Sequence, residues 1–311
     1  MLDHIHIQNY RLFKDLKIDK LGQVNLIAGK NNTGKTALLE ALRIWDSKAN
    51  INVLTNILFN RHEIINREPN NGYNLFRDTT KGIIEIGDDK KGHSVKFAIE
   101  FKFQEEDNSV IYPFQYGING DGIGYNVFNN IVYIPFLIEN DENPKMWEKV
   151  SLTTLENDVN EIMKIIEPRI ERIGFTNGKF MVLTGRYPNP FPLKKLGDGA
   201  NRLFTVALAL VNAKNKILLI DEFEVGLHHS VQDQLWDIIF KYAKEWNIQV
   251  FATTHSRDTV KSFTSIAQKE EYKDMANYFR LQKLRNSDDI VAVQYNEQNL
   301  KTAIEQDIET R

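Results

Sequence analysis

The sequence of 311 residues contains no cysteine, so disulfides, thiolate zinc sites and iron–sulfur clusters are excluded and a reducing compartment fits. A long apolar run is also missing: the longest, residues 131–138, is far shorter than the roughly 20 residues of a membrane helix. The amino terminus shows no signal-peptide pattern. Strong charge of one sign is absent too, because the formal net charge is −3. We therefore expect a soluble, cytoplasmic protein without a global basic field for nucleic acid or anionic membrane.

The composition, 42% hydrophobic and 26% charged, is that of a globular chain with one large domain or two small ones. Apolar alternation over residues 2–18 predicts a hairpin of two short strands. The apolar run 24–28 then predicts a strand, and the spacing of apolar residues over 37–44 predicts a helix. A glycine-rich turn separates the two, so the order is strand, turn, helix.

The middle of the chain has a different character. Residues 51–130 are rich in Asn, Gly and Asp, and the alternation over 95–103 predicts an antiparallel meander. Residues 131–135 predict a buried strand. Residues 147–173 predict one or two amphipathic helices, interrupted near Pro168, as a helical protrusion.

The last third alternates between helical and strand patterns, which is typical of an α/β fold. We expect helices over residues 203–211 and 231–246, buried strands over 217–220 and 248–252, short strands over 278–281 and 290–295, and a final helix near Leu300.

The octet GKNNTGKT, residues 29–36, matches the phosphate-binding pattern G-x-x-x-x-G-K-[S/T] between a strand and a helix. Its glycines allow successive N–H groups to face a polyphosphate, and the helix adds its positive end. Lys35 would reach the β- and γ-phosphates and Thr36 would hold Mg²⁺. The alternative is a glycine turn with a solvated Lys35. The candidate ligand residues are Asn31, Asn32, Thr33, Gly34, Lys35 and Thr36.

Two further apolar strands end in polar residues that suit phosphate chemistry. ILLIDE ends in Asp221, a candidate Mg²⁺ ligand, and Glu222, which would face an attacking water. FATTHS carries His255, which could sense the γ-phosphate or orient water. Ligands of α/β folds bind at such strand ends, which favours function over a solvated loop or a structural histidine.

LGDGANR, residues 196–202, predicts a second anion site, because Gly197 and Gly199 precede the amino terminus of a helix. The alternative is a loop whose Asp198 or Asn201 caps that helix.

In the order P-loop, LGDG, ILLIDE and TTH, these elements resemble the ABC-type ATPase heads of SMC proteins, double-strand-break repair ATPases and RecF. The resemblance is greatest to the OLD-like (overcoming lysogenization defect) ATPases, and it covers most of the chain. It implies an α/β P-loop NTPase of the ABC/SMC-head type with an antiparallel β subdomain and a short helical insertion. The expected division is residues 1–140 and 179–311 for the two parts of the head, with the insertion at 141–178.

The resemblance also implies partners and roles. Such heads bind ATP and Mg²⁺ and dimerise head to tail, so Gly197, Asp198 and Gly199 would act on the nucleotide of the other subunit. Glu222 resembles the catalytic base and His255 the switch histidine, and Arg11 resembles a basic residue that approaches the nucleotide. For the Q-loop glutamine, Gln104 and Gln115 both remain candidates.

Departures from the family pattern shape the functional hypothesis. Gly197 stands where the signature serine is usual, and Asp198 adds negative charge near the expected phosphate. The sequence shows neither the long heptad pattern of an SMC coiled-coil arm nor the Toprim nuclease domain of the OLD nucleases. The chain therefore resembles an ATPase head that regulates a separately encoded effector, such as a nuclease, in anti-phage defence. The alternative is a RecF-like repair factor that clamps DNA, with basic residues Lys90, Lys91, Lys194 and Lys195. A transporter ATPase fits the pattern least.

Overall fold

The computed structural model of the protein describes residues 1–61, 64–65, 68–69, 84–88, 93–103, 110–117, 130–136, 142–285 and 287–295. Its strands are β1 (Ile5–Tyr10), β2 (Phe13–Ile18), β3 (Val24–Ala28), β4 (Ile64–Ile65), β5 (Glu68–Pro69), β6 (Ile84–Asp88), β7 (His93–Phe103), β8 (Val110–Gly117), β9 (Ile131–Ile134), β10 (Ile170–Thr176), β11 (Lys179–Thr184), β12 (Tyr187–Pro192), β13 (Ile217–Ile220), β14 (Gln249–Thr254), β15 (Ala276–Lys283) and β16 (Ile290–Tyr295). Its helices are α1 (Lys35–Asp46), α2 (Ile51–Asn60), α3 (Asn143–Glu148), α4 (Leu155–Met163), α5 (Asp198–Asn212), α6 (His229–Glu245) and α7 (Arg257–Ala267).

The central sheet has six strands in the order β16-β15-β3-β14-β13-β9. Only β16 is antiparallel to its neighbour; the other five strands run parallel. Every residue of β3, β13 and β14 is buried, which explains their continuous apolar runs. Parallel strands bring their carboxyl ends to one edge, so the motifs that follow β3, β13 and β14 meet there.

Alternate residues of the central sheet face two different cores. Leu26 and Leu218 belong to the core that packs against α4, α5, α6 and α7. Ile27 and Leu219 belong to the core that contains α1, α2, β1 and β2. This period of two places helices on both faces of the sheet, as the predicted α/β class requires.

A second sheet, antiparallel, has the order β2-β1-β6-β7-β8. The predicted β1–β2 hairpin and the antiparallel meander are confirmed in the described residues. The prediction was wrong for Ile51–Asn60, which is helix α2 rather than part of the meander. Asn50 caps α2 by accepting the main-chain N–H of Asn52, while Leu54 and Leu58 bury one face.

Residues 147–173 are helical only in part. Helices α3 and α4 are short, and Ile170–Thr176 is strand β10 of a three-stranded sheet, β10-β11-β12, which the sequence did not predict. A β-bulge between Ile170 and Arg172 adds one residue to the strand. Ile170 and Ile173 are therefore both buried although they are three apart, a spacing that is also typical of one face of a helix.

The helices predicted over residues 203–211 and 231–246 and the strands predicted over 217–220, 248–252, 278–281 and 290–295 are present, and α7, capped by Ser256, was not predicted. Strand β9 is only half-buried because it forms the edge of the sheet. Gln104 and the expected helix near Leu300 lie outside the described residues, and the division at residues 140 and 178 stays a prediction. Among the helices that the structure describes, none combines the length and the apolar character needed to cross a membrane.

Candidate functional site

The phosphate-binding loop joins β3 to α1 and depends on two glycines. Gly34, the N-cap of α1, has φ +92°, and a Cβ there would lie 2.7 Å from Cζ of Phe13. A Cβ at Gly29 would lie 2.5 Å from Oγ1 of Thr33 and 2.8 Å from the carbonyl oxygen of Leu281. A side chain at either position would displace neighbouring atoms, so the loop conformation requires both glycines.

The contact at Gly34 leads to a prediction with a matched control. Gly178 also has a positive φ, +72°, but apart from its chain neighbours no atom of the described residues lies within 4 Å of its Cβ position. Gly178→Ala should therefore cost only the left-handed backbone conformation, about 1 kcal/mol. Gly34→Ala should lower the free energy of unfolding by more, because Phe13 must also move. Denaturant unfolding of both variants checks this, and equal losses would contradict the packing described here.

The amino group of Lys35 lies inside the loop. Its Nζ donates to the carbonyl oxygens of Gly29, at 2.8 Å, and Lys30, at 3.1 Å. Burial lowers the pKa of Lys35, and the carboxylates of Glu222, Glu224 and Asp221 oppose this shift. The loop thus surrounds one buried amine close to an acidic cluster.

The remaining residues of the loop border an open groove. Thr33 is buried, and its Oγ1 donates to the carbonyl of Lys30 at 2.9 Å. Asn31 and Asn32 are exposed, and Asn32 has φ +63°. An open groove of about 1040 Å³ runs between residues 30–33 and the end of β15 with the residues after it, 280–285 and 287.

Asp221 follows β13 and is held at both carboxylate oxygens. Thr36 Oγ1 donates to Oδ2 at 2.9 Å, and Thr253 Oγ1 donates to Oδ1 at 2.6 Å. Burial raises the pKa of Asp221, while these two hydrogen bonds oppose the rise. The hydroxyl of Thr36 and the carboxylate of Asp221 are therefore in contact although they are 185 residues apart in sequence.

These two oxygen ligands fit Mg²⁺, a hard cation that protein sites usually hold by one or two side chains together with phosphate and water oxygens. Within the described ranges, no group of three or more His, Cys, Asp or Glu residues could form a complete protein cage. The donor set of Thr36 and Asp221 thus suits a metal ion that arrives with a polyphosphate.

Glu222 stands beside Asp221 in a strained conformation. Its φ is +48°, which is uncommon for a residue with a side chain. Its main-chain N–H donates to Thr253 Oγ1 at 2.8 Å, so Thr253 holds both acidic residues. Burial raises the pKa of Glu222, and His255 opposes this shift.

His255 lies at the end of β14, next to β13, and contacts two acids. Its Nδ1 is 3.0 Å from Oε1 of Glu224 and 3.9 Å from Oε1 of Glu222. Its main-chain N–H also donates to Oε1 of Glu224, at 2.9 Å. The structure therefore brings together Lys35, Thr36, Asp221, Glu222 and His255, and adds Glu224, which the sequence reasoning had passed over within DEFE.

Arg202 is a second residue that the sequence reasoning missed, although LGDGANR contains it. From α5 its guanidinium donates to the carbonyls of Asp221, at 2.9 Å, Glu222, at 3.3 Å, and Pro135, at 3.1 Å. Burial lowers the pKa of Arg202, and the neighbouring acids oppose the shift. Helix α5 is thus joined to the turn after β13 that carries Asp221, Glu222 and Glu224, which we call the acidic turn.

The glycine-bearing tip at the start of α5 makes no described hydrogen bond to the phosphate-binding loop, residues 29–36. Gly197 and Asp198 are exposed. Gly197, with φ +93°, is the N-cap and no side chain caps the helix, so the alternative of a cap by Asp198 or Asn201 is wrong. Gly199 packs on the turn after β13, because a Cβ there would lie 2.9 Å from the carbonyl of Gly226.

Arg11 is buried against Glu40 of α1. Its Nε lies 2.9 Å from Oε2 of Glu40, which also accepts the hydroxyl of Tyr10 at 3.1 Å, and Oε1 of Glu40 lies 2.7 Å from Nε of Arg61. Arg11 therefore anchors the β1–β2 turn to α1, and its approach to the nucleotide stays a prediction. Gln115 lies in β8, and a Q-loop role for it also stays a prediction.

Comparison with known proteins assigns the family. A family model described as "AAA ATPase domain" matches residues 1–183, more than half of the chain. The chain belongs to the AAA ATPase domain family. A second AAA domain model, whose description also mentions the AbiEii toxin and Type IV TA systems, matches residues 150–260.

This AAA ATPase is similar to an "ATP/GTP phosphatase" of Helicobacter pylori, with 25% identity over 350 residues that cover 90% of this chain and 92% of the relative. It is also similar to solved SMC heads. One, from Thermotoga maritima, has a TM-score of 0.51 and 14% identity and covers 95% of this chain and 99% of that one. Another, from Pyrococcus furiosus, has a TM-score of 0.56 and 11% identity, with 98% of each chain covered. These likenesses confirm the predicted SMC-head fold class.

Proposed function

We propose that this AAA ATPase binds ATP with Mg²⁺ and hydrolyses it to ADP and phosphate. One observation carries the proposal: at one edge of the sheet the structure brings together a buried lysine, a hydroxyl–carboxylate pair, a half-buried Glu222 and an exposed His255. In this proposal Lys35 and the loop N–H groups bind the β- and γ-phosphates, and Thr36 and Asp221 hold Mg²⁺. The bound metal ion would neutralise charge on the phosphate oxygens.

Glu222 is the proposed general base. A water oxygen bonds to the γ-phosphorus, its proton moves to a carboxylate oxygen of Glu222, and the bond to the β-phosphate oxygen breaks to release ADP. The raised pKa of Glu222 makes it a better proton acceptor than an ordinary surface carboxylate. The similarity to a protein named ATP/GTP phosphatase supports the reaction class, and a phosphate-release assay with ATP and GTP tests it.

We further propose that two copies close head to tail around the nucleotide, with Gly197, Asp198 and Gly199 of one copy facing the loop of the other. The support is geometric: Gly197 and Asp198 are exposed, and no described hydrogen bond joins residues 197–199 to the loop of their own chain. Arg202 joins α5 to the carbonyls of Asp221 and Glu222, so contact at the tip would reach the acidic turn. Light scattering with ATP and with ADP tests for a dimer that requires ATP.

Asp198 should weaken this dimer, because its carboxylate would face phosphate. Asp198→Asn is expected to tighten dimerisation by several-fold, equivalent to about 1 kcal/mol of charge repulsion at a partly solvated site. Glu171→Gln, which removes an exposed acid from β10, provides the matched control. Equal dimer affinity in the wild type and Asp198→Asn, measured by sedimentation, would count against the proposed orientation.

The biological role that we propose is regulation of a separately encoded effector, such as a nuclease, in anti-phage defence, and it rests on the resemblance to OLD-like ATPases. The second matching family, which is described with a toxin and a TA system, is compatible with an ATPase that acts together with a separate effector protein. Smc heads solved with ScpA domains supply a precedent for a separate partner protein. Co-purification with the product of the neighbouring gene tests the proposal.

DNA binding of the RecF type is the second candidate, and one observation favours it. Lys194 and Lys195 are exposed directly before the tip, where DNA could contact a closed dimer. Lys90 and Lys91 lie outside the described residues. Duplex binding that appears only with ATP and weakens with salt would support this candidate, because phosphate contacts release counterions.

A further inference from the structure

Glu224 lies two residues after Glu222 in the turn that follows β13, and its only described side-chain contacts go to His255. One oxygen, Oε1, accepts the main-chain N–H of His255 at 2.9 Å and lies 3.0 Å from its Nδ1. The side chain is only 12% exposed, although the imidazole is 46% exposed. A single carboxylate oxygen thus accepts a hydrogen bond from the main chain of His255 and lies within ion-pair distance of its ring.

The distances assign different tasks to the two acids. Nδ1 of His255 is 0.9 Å nearer to Glu224 than to Glu222, from 3.0 Å against 3.9 Å, so the carboxylate of Glu224 is the closer acid to this ring nitrogen. Among the described hydrogen bonds, none joins the ring of His255 to Glu222. A base must keep a lone pair for the proton that it accepts, so this division suits Glu222.

The second oxygen of Glu224 is also informative. Oε2 is buried and has no hydrogen-bond partner among the described residues. An unsatisfied buried carboxylate oxygen costs free energy, so stability alone does not explain an acid at this position. Glu224 also lies within electrostatic reach of Lys35 and Arg202, whose positive charges partly compensate for its burial.

We propose that Glu224 is a positioning residue that keeps the proton of His255 on Nδ1. A carboxylate beside one ring nitrogen selects the tautomer that carries the proton there, so Nε2 keeps its lone pair as a hydrogen-bond acceptor. Within the proposed hydrolysis, on which this inference rests, Nε2 then helps to orient the attacking water while Glu222 accepts the proton.

Nitrogen-15 NMR of the histidine side chains tests this directly, because protonated and unprotonated ring nitrogens have different chemical shifts. His255→Gln identifies the signal of His255. The wild type should show the tautomer protonated on Nδ1, and Glu224→Gln should lose it. Gln keeps an oxygen acceptor for the main-chain N–H but removes the negative charge. Asp258→Asn, which changes an exposed acid three residues after His255, is the matched control and should leave the tautomer unchanged.

Kinetics give the second readout. Glu224→Gln should lower kcat for phosphate release by at least about 10-fold with little change in KM, because the loss affects the reacting arrangement rather than nucleotide binding. An unchanged His255 tautomer in Glu224→Gln overturns the proposal, whatever the turnover. If the folded wild type releases no phosphate, the proposed hydrolysis is wrong, yet the tautomer measurement still decides for or against Glu224.

Discussion

The Glu222→Gln variant is expected to bind ATP, release almost no phosphate and accumulate as a dimer. Gln has nearly the same shape as Glu and keeps hydrogen-bonding capacity, but it cannot accept the proton of the attacking water. Loss of a general base typically costs 10²- to 10⁴-fold in rate, so kcat should fall by at least about 100-fold. Phosphate release measured at saturating ATP, together with light scattering, checks both parts.

A matched variant separates the base role from a general charge effect. Glu171→Gln removes one negative charge from an exposed position on β10 and should retain full turnover. Thermal unfolding must show that Glu222→Gln is folded, because its main-chain N–H is bound to Thr253 in a strained conformation. Normal phosphate release from the folded variant would remove Glu222 from the proposed role.

Lys35→Ala should produce the second large effect, a loss of nucleotide affinity. Hydrogen bonds to charged groups contribute about 1.5–3 kcal/mol each, so loss of the ammonium should raise Kd for ATP by roughly 10- to 100-fold. Titration with a fluorescent ATP analogue measures this. The loss is expected because the buried amine lies inside the loop that would surround the phosphates.

Lys30→Ala is the matched control, because Lys30 belongs to the same loop but is exposed. Its effect on Kd should be several-fold smaller than that of Lys35→Ala. Since Lys35 also donates to two loop carbonyls, unfolding curves for both variants must accompany the titration. Equal Kd values for Lys35→Ala and the wild type, with both proteins folded, would show that nucleotide binds elsewhere or not at all.

Local patterns explain which parts of the fold the sequence predicted. The loop 29–36 is a contiguous motif, and β13 and β14 are apolar runs buried on both faces, so each is visible in a short window of sequence. Their parallel pairing then follows from the α/β order, which is why Asp221 and His255 were expected near Lys35. The sequence motif and the apolar periodicity together were therefore enough to predict the main chemical groups of the site.

Contacts between distant segments account for what was missed. Arg202 donates hydrogen bonds to three main-chain carbonyl oxygens. The pattern of side chains in a sequence does not predict where main-chain carbonyl groups lie. Glu224 follows the recognised pair Asp221–Glu222 by two residues, but only the turn after β13 directs it to His255. The prediction of one or two helices over residues 147–173 failed at its end, where Ile170–Thr176 is a strand whose bulge buries two residues at helical spacing.

The central claim is that the phosphate-binding loop, residues 29–36, and the acidic turn after β13 together bind Mg²⁺ and nucleoside triphosphate. Isothermal titration calorimetry of the folded Glu222→Gln protein with Mg-ATP tests it most directly. The account predicts a saturating heat signal with one nucleotide per chain that disappears in the double variant with Lys35→Ala. No heat from folded Glu222→Gln protein, or an unchanged signal in the double variant, would contradict the claim.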